Sequence, residues 1–315
     1  MTQIYYKYSD YLKNKYDVKV YKLPTSIPVT CPNRDGFCGT SGCTFCGEIG
    51  AGYENLPDSL TIAEQIRMNK EHIIPKYKAK KFIVYFQNFS NTYLPLEKIK
   101  QYVKESCVED IVAISFATRP DCVSKKYMAE LAKLKEEYNV DIIIELGLQI
   151  ANYHVLEEVN RGHTLAEYLD AMQTINAYGL DSCTHVILNL PNTDMKDVIE
   201  TAKIISVMKS TEVKLHALYI IKNTLMAKQY LAGELKLISE DEYIERVITF
   251  LEYLDKDIPL QRLIGRAPAS HTEFSNWGVG WWKIKEKIEK KMEEEKRYQG
   301  SKCDYLDGKA LNAFK

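Results

Sequence analysis

No apolar run in this sequence approaches the roughly 20 residues that a membrane-spanning helix needs, so the reading has no place for such a span. Formal net charge is only -1. There is thus no global basic field to draw in nucleic acid, and a nucleic-acid partner would depend on a local patch. Tandem repeats and low-complexity tracts are absent, which removes solenoids and disordered linkers. No GxGxxG follows the first strand-like run, which counts against a dinucleotide-binding fold. The start, MTQIYYKYSDYLKNKYDVKVYKL, is polar and tyrosine-rich rather than leader-like. The expectation is therefore a cytoplasmic protein, whose thiols stay reduced and whose cysteines are not paired in disulfides.

What is present is a set of nearly continuous apolar, β-branched runs separated by helical stretches. They are Val18 to Leu23, Lys80 to Gln87, Asp110 to Pro120, Val140 to Gln149, Cys183 to Pro191 and Val213 to Ile221. Continuous rather than alternating runs suit strands buried on both faces of a parallel sheet. The chain of 315 residues, 45% hydrophobic, is long enough for one large unit. Either an open doubly wound sheet or a barrel satisfies the pattern. Polar segments follow or close the second to fifth runs, at Asn88 to Tyr93, Thr118 to Cys122, Glu145 to Gln149 and Leu190 to Asp194. Polar residues gathered at one rim are what a catalytic β/α barrel presents at the carboxyl ends of its strands.

Four of the eight cysteines and six of the 15 glycines fall within CPNRDGFCGTSGCTFCGEIGAG, residues 31–52. Cys43 and Cys46 form a CxxC pair; Cys31 and Cys38 precede it. Four thiols can build a tetrahedral zinc site, yet a zinc ribbon pairs two CxxC knuckles and this segment has one. Three thiolates around a CxxC after the first barrel strand fit a 4Fe–4S cluster with one iron lacking a protein ligand. Backbone amides of a glycine-rich loop can also donate to cluster sulfurs.

Together with CPNRDG and GCTFC, the segments FQNFSNTY, TRPDC, ELGLQ, VNRGH, HVILNLP, LHALYIIKNT, QRLIGRAP and the late YQG give a specific likeness. The sequence resembles the radical S-adenosylmethionine (SAM) enzymes, in the group that includes the catalytic subunit of the elongator complex, and within it a bacterial subfamily. The resemblance implies an α/β fold, a partial (β/α)6 TIM-like radical SAM barrel with a C-terminal helical extension. The corresponding division is an N-terminal extension over 1–17, a core over 18–222 with its cluster loop at 31–52, and a C-terminal extension over 223–315. It implies Cys31, Cys43 and Cys46 as cluster ligands, with Cys38 a bystander at a position where the family pattern carries another residue. The implied cofactors are a 4Fe–4S cluster and S-adenosyl-L-methionine, cleaved reductively to a 5′-deoxyadenosyl radical. An electron donor such as flavodoxin or ferredoxin is then required. The substrate implied is a tRNA wobble uridine in the anticodon loop, with 5-carboxymethylaminomethyl trimmed to 5-aminomethyl. A small-molecule substrate and a non-catalytic zinc-binding RNA module are the alternatives.

The rim residues are read in that light. Ser90, Asn91 and Thr92 offer short polar groups to the methionine end of the cofactor, or simply cap a turn. Glu145 and Gln149, at even spacing on one face, are placed to take ribose hydroxyls. Arg161 resembles a cofactor-contacting arginine. His185, inside an apolar run, is either a further candidate or a satisfied core residue. Arg119 and Asp121 orient substrate or pair with each other, and Cys122 supplies or receives a hydrogen atom or packs as a small hydrophobe. Cys107, Cys183 and Cys303 are read as structural. Lys76 to Lys81 and the late lysines are the available basic clusters. Ile284, Ile288 and Met292 mark an amphipathic helix whose lysines interleave with Glu286, Glu289 and Glu293. Trp277, Trp281 and Trp282 are expected to pack rather than stack on bases.

Overall fold

The computed structural model describes residues 3–50, 52–266 and 269–314. In chain order the elements are α1 Tyr8–Tyr16, β1 Val20–Thr25, α2 Ile62–Tyr77, β2 Lys81–Phe86, α3 Leu96–Ser106, β3 Ile111–Thr118, α4 Lys125–Tyr138, β4 Asp141–Gln149, α5 Tyr153–Glu158 and α6 Leu165–Ala177. They continue with β5 Asp181–Ile187, α7 Met195–Val207, β6 Glu212–His216, β7 Ile220–Ile221, α8 Leu225–Leu231, α9 Glu240–Tyr253, β8 Leu260–Arg262, β9 Thr272–Phe274 and α10 Trp281–Glu294. Several helices begin where the sequence dictates. Thr61 with Glu64, Thr164 with Glu167 and Asp194 with Asp197 form capping boxes that satisfy the first free amides of α2, α6 and α7.

Seven strands form one parallel sheet in the order β1-β2-β3-β4-β5-β6-β8. Sequential order with helical crossovers curls the sheet into an open barrel. One face of each strand is covered by helices. Leu23, Val84, Phe86, Ile114, Phe116, Ile144, Leu146, Val186 and Leu215 belong to this main core. The other face lines the lumen. Its lower layer, Val20, Ile83, Ala113, Ile143 and Cys183, packs against Leu12 of α1. The amphipathic α1 touches both β1 and β8 and plugs the barrel between its two edge strands. The chain just before α1 lies along β8, where Leu260 donates its amide to the Tyr6 carbonyl at 2.9 Å.

The six expected strands are present, with a seventh beyond them. Leu260–Arg262 adds to β6, so the sheet does not stop at residue 222. The run Val213 to Ile221 is also not one strand. It ends at His216, and Ile220–Ile221 pairs separately and antiparallel with β9. The expected C-terminal helix is α10, with Ile284, Ile288 and Met292 fully buried. Trp277 packs on Tyr243 and Phe274. Trp281 and Trp282 depart from expectation: they are 38% and 52% exposed, with their rings edge-on to each other.

Phe116 is fully buried and stacks on Phe86 with ring centroids 5.0 Å apart. Phe116→Ala should lower the unfolding free energy by about 3–5 kcal/mol, the cost of removing a core aromatic and leaving its cavity. Urea denaturation measures this directly.

Candidate active site

The cysteine loop leaves the carboxyl end of β1 and is pinned to the turn after α5. Thr44 donates to the Val159 carbonyl at 3.0 Å, Asn160 donates to the Gly42 carbonyl at 2.7 Å, and Asn33 donates to the Asn160 carbonyl at 2.6 Å. Arg34 holds the Cys46 and Gly47 carbonyls at 2.8 and 2.6 Å. The loop needs its glycines where side chains crowd it. A Cβ at Gly39 would sit 2.1 Å from Asn33 Oδ1.

Two buried arginines reach the thiols. Arg161 Nη1 lies 3.6 Å from Cys43 Sγ, while its Nη2 donates to the Gly147 carbonyl at 3.0 Å. Arg119 Nη2 lies 3.8 Å from Cys38 Sγ, and its Nη1 donates to the Arg161 carbonyl at 2.6 Å. Burial raises the Cys38 thiol, with Arg119 opposing the shift. Around Cys43, the buried atoms Asn33 Oδ1, Arg161 Nε and His163 Nε2 have no hydrogen-bond partner among the described residues. Buried polar atoms are normally satisfied, so this pocket fits an added group. Zinc binds sulfur at about 2.3 Å and would draw its ligands within roughly 4 Å of one another. Among the described residues, no three of these four sulfurs lie within 4.8 Å of each other.

The other rim residues fall into distinct groups. Ser90 and Thr92 spend their hydroxyls on Thr118, at 3.0 and 2.6 Å, and Thr92 also bonds the Cys122 carbonyl at 2.7 Å. Asn91 donates to the Phe86, Asn88 and Ala117 carbonyls, leaving only its Oδ1 free. These three side chains tie the ends of β2 and β3 together. Arg119 and Asp121 form a bidentate ion pair at 2.8 and 2.6 Å. Burial, with Asp121 adding to it, pushes the Cys122 thiol up to about 12 against a weaker opposing bond from Ser90.

Glu145 and Gln149 belong to different neighbourhoods. A bulge between Gly147 and Gln149, with Gln149 at φ 73°, turns the amide back over Gly147 towards Arg161. A Cβ at Gly147 would lie 2.5 Å from Arg161 and 2.9 Å from Gln149. Glu145 lies within the lumen at the centre of a polar network. It pairs with Lys22 of β1, accepts from Ser115 of β3 at 2.7 Å, and meets His185 of β5 at 2.6 Å and Lys214 of β6 at 3.3 Å. Burial alone would raise the Glu145 carboxyl, but Lys214, Lys22 and His185 outweigh it and hold the group well below the usual range. Cys183 and His185 bring donor atoms near Glu145. A metal ion there would face two ammonium groups already on its carboxylate.

Lys22, Tyr85, Lys214, His216 and Arg262 were not singled out from the sequence. The available signal was a lysine or histidine inside an otherwise apolar strand run, as in VKVYKL and VKLHALYII.

With this geometry in view, the comparisons are direct. Residues 29–205 match the Radical SAM superfamily and residues 211–294 its C-terminal domain. The chain belongs to the Radical SAM superfamily, whose members use a 4Fe–4S cluster and S-adenosylmethionine. It is 33% identical over 299 residues to YtqA of Bacillus subtilis (strain 168), covering 94% of this chain and 92% of that protein. It is 27% identical over 177 residues to the tRNA uridine(34) acetyltransferase of Methanocaldococcus jannaschii, covering 54% of this chain and 31% of that one. In fold it is similar to the archaeal Methanocaldococcus infernus Elp3, with TM-score 0.66 and 19% identity over 89% of this chain and 64% of that one. No described helix is long and apolar enough to cross a membrane.

Burial and Arg161 push His163 down to about 2, and burial and Lys214 push His185 down to about 4, so both stay neutral in the folded protein. The unfolded chain binds those protons near pH 6.5, so stability is complete above that value and is lost as pH falls towards 4. Each histidine should cost about 1.4 kcal/mol per pH unit below 6.5. Urea midpoints of cluster-free protein at pH 7.5 and 5.0 measure the slope, and His163→Gln should flatten it.

Proposed function

We propose that this chain is a tRNA-modifying radical SAM enzyme that acts on the wobble uridine, trimming 5-carboxymethylaminomethyl to 5-aminomethyl. The observation that carries the tRNA part of the reading is the similarity to a tRNA uridine(34) acetyltransferase across the radical SAM portion of this chain. The Elp3 likeness supports the fold on which that reading rests. An anticodon loop already presents unpaired bases, so a nucleotide can enter a barrel mouth without the cost of opening a duplex.

In this reading Cys31, Cys43 and Cys46 hold the cluster and leave one iron to the methionine end of S-adenosylmethionine. With one electron from a donor, the bound cofactor supplies a 5′-deoxyadenosyl radical that takes a hydrogen atom from substrate. The chain's own groups bind, orient and exclude water. Arg161 and Gln149, turned together over Gly147, face the cofactor beside Cys43. Ser90, Asn91 and Thr92 fix the rim, and the Arg119–Asp121 pair braces the same wall. Cys122 remains a protonated thiol at neutral pH, the form able to exchange a hydrogen atom.

Two measurements test this. Anaerobically reconstituted enzyme should bind iron through an absorbance near roughly 400 nm, expected of iron–sulfur thiolates. Cys31→Ala, Cys43→Ala and Cys46→Ala should each abolish both that band and S-adenosylmethionine cleavage, whereas Cys38→Ala should keep both. Incubation with bulk tRNA and S-adenosylmethionine, followed by nucleoside analysis, should convert the carboxymethylaminomethyl nucleoside to the aminomethyl form. Unchanged wobble uridine with active cofactor cleavage would favour a small-molecule substrate.

A further inference from the structure

The charges of the lumen do not balance. Lys22, Lys214 and Arg262 face it from β1, β6 and β8, and Glu145 is the ionised carboxylate among them. Glu212 lies in the same wall, but its carboxylate accepts from Gln261 and makes no ion pair with Arg262 among the described residues. The two histidines add no negative charge. His185 is committed to Glu145, and burial with Arg262 keeps His216 neutral. Glu145 absorbs both lysines. Arg262 is left with His216 Nδ1 at 2.6 Å and the Leu215 carbonyl at 3.3 Å, and it makes no ion pair among the described residues. A half-buried guanidinium without a counter-anion is costly, and its planar fork suits a carboxylate.

The place is also right for substrate. Arg262 is in register with Lys214, and the His216 ring stacks 5.2 Å from His185 within the lumen. The chain that continues from β6 meets the cysteine loop, where Met226 donates its amide to the Thr44 carbonyl at 3.0 Å. Arg161 and Gln149, in contrast, stand beside Cys43.

We propose that Arg262, held in place by His216, is a carboxylate-receiving site that anchors an N-substituted glycine group of the substrate inside the barrel. The assignment of that group to a modified uridine rests on the proposed function above; the anion site itself does not. A free carboxylate lets such a site discriminate strongly against bases that lack it, because Arg262 would then be buried without a partner.

The test uses N-acetylglycine and its methyl ester as probes on the reconstituted holoenzyme, by ligand-observed NMR. The wild type should bind the acid at least about tenfold more tightly than the ester, a difference of about 1.4 kcal/mol. Arg262→Gln should weaken acid binding by about tenfold, and Arg262→Lys should recover part of it. Equal binding of acid and ester, or full acid binding by a folded Arg262→Gln, overturns the proposal. Should that variant fail to fold, the acid-over-ester ratio of the wild type decides alone. Competition between N-acetylglycine and S-adenosylmethionine would give the site to the cofactor's own carboxylate and overturns the substrate assignment. Acid-selective binding alongside unchanged wobble uridine supports the site and counts against the tRNA reading only.

Discussion

A single carboxylate ties the walls of this barrel together. Glu145 sits on the middle strand of the sheet and bonds side chains from β1, β3, β5 and β6. Parallel strands hydrogen-bond only to their neighbours, whereas Lys22 and Lys214 reach this one group from opposite sides of the lumen. Burying a carboxylate costs several kcal/mol unless its partners are arranged to meet it, so an unrolled sheet would leave three charges stranded. Below this layer α1 closes the bottom with apolar contacts, and above it the polar rim is left open for chemistry.

The same logic explains why the site residues were only partly legible in the sequence. The strand runs were readable because both faces are buried, and the cysteine loop was readable because thiols and glycines concentrate in it. The last sheet strand was not, since Leu260–Arg262 offers only three residues and no apolar run of its own. Even spacing put Glu145 and Gln149 on one face, but spacing cannot see depth. The bulge at Gln149 sends one to the rim and leaves the other inside the lumen. Lys22 and Lys214 stood in plain view inside quoted strand runs. Their meaning depends on a partner more than a hundred positions away in one case, which no local pattern carries.

Around the thiols, positive charge arrives from separate loops, and its wiring is continuous. Asp121 holds Arg119, Arg119 holds the Arg161 carbonyl, and Arg161 reaches both Cys43 and Gly147. The turn after β3 is thereby linked to the cysteine loop and the end of β4. The guanidinium groups that make these links cannot lose their protons. Lysines in the same positions would bring charge without the fork needed to hold a carbonyl and face a sulfur at once.

The lumen and the rim thus apply one physical rule in opposite senses. At the rim, Arg119 is matched by Asp121, and Arg161 stands beside the Cys43 sulfur. In the lumen, Glu145 takes the lysines but not Arg262, which makes no ion pair among the described residues. The second carboxylate on that wall, Glu212, accepts from Gln261 and leaves Arg262 without a counter-anion. Leaving that guanidinium unpaired costs free energy, and an entering anion returns it, which is what would give the proposed site its selectivity for a charged substrate group.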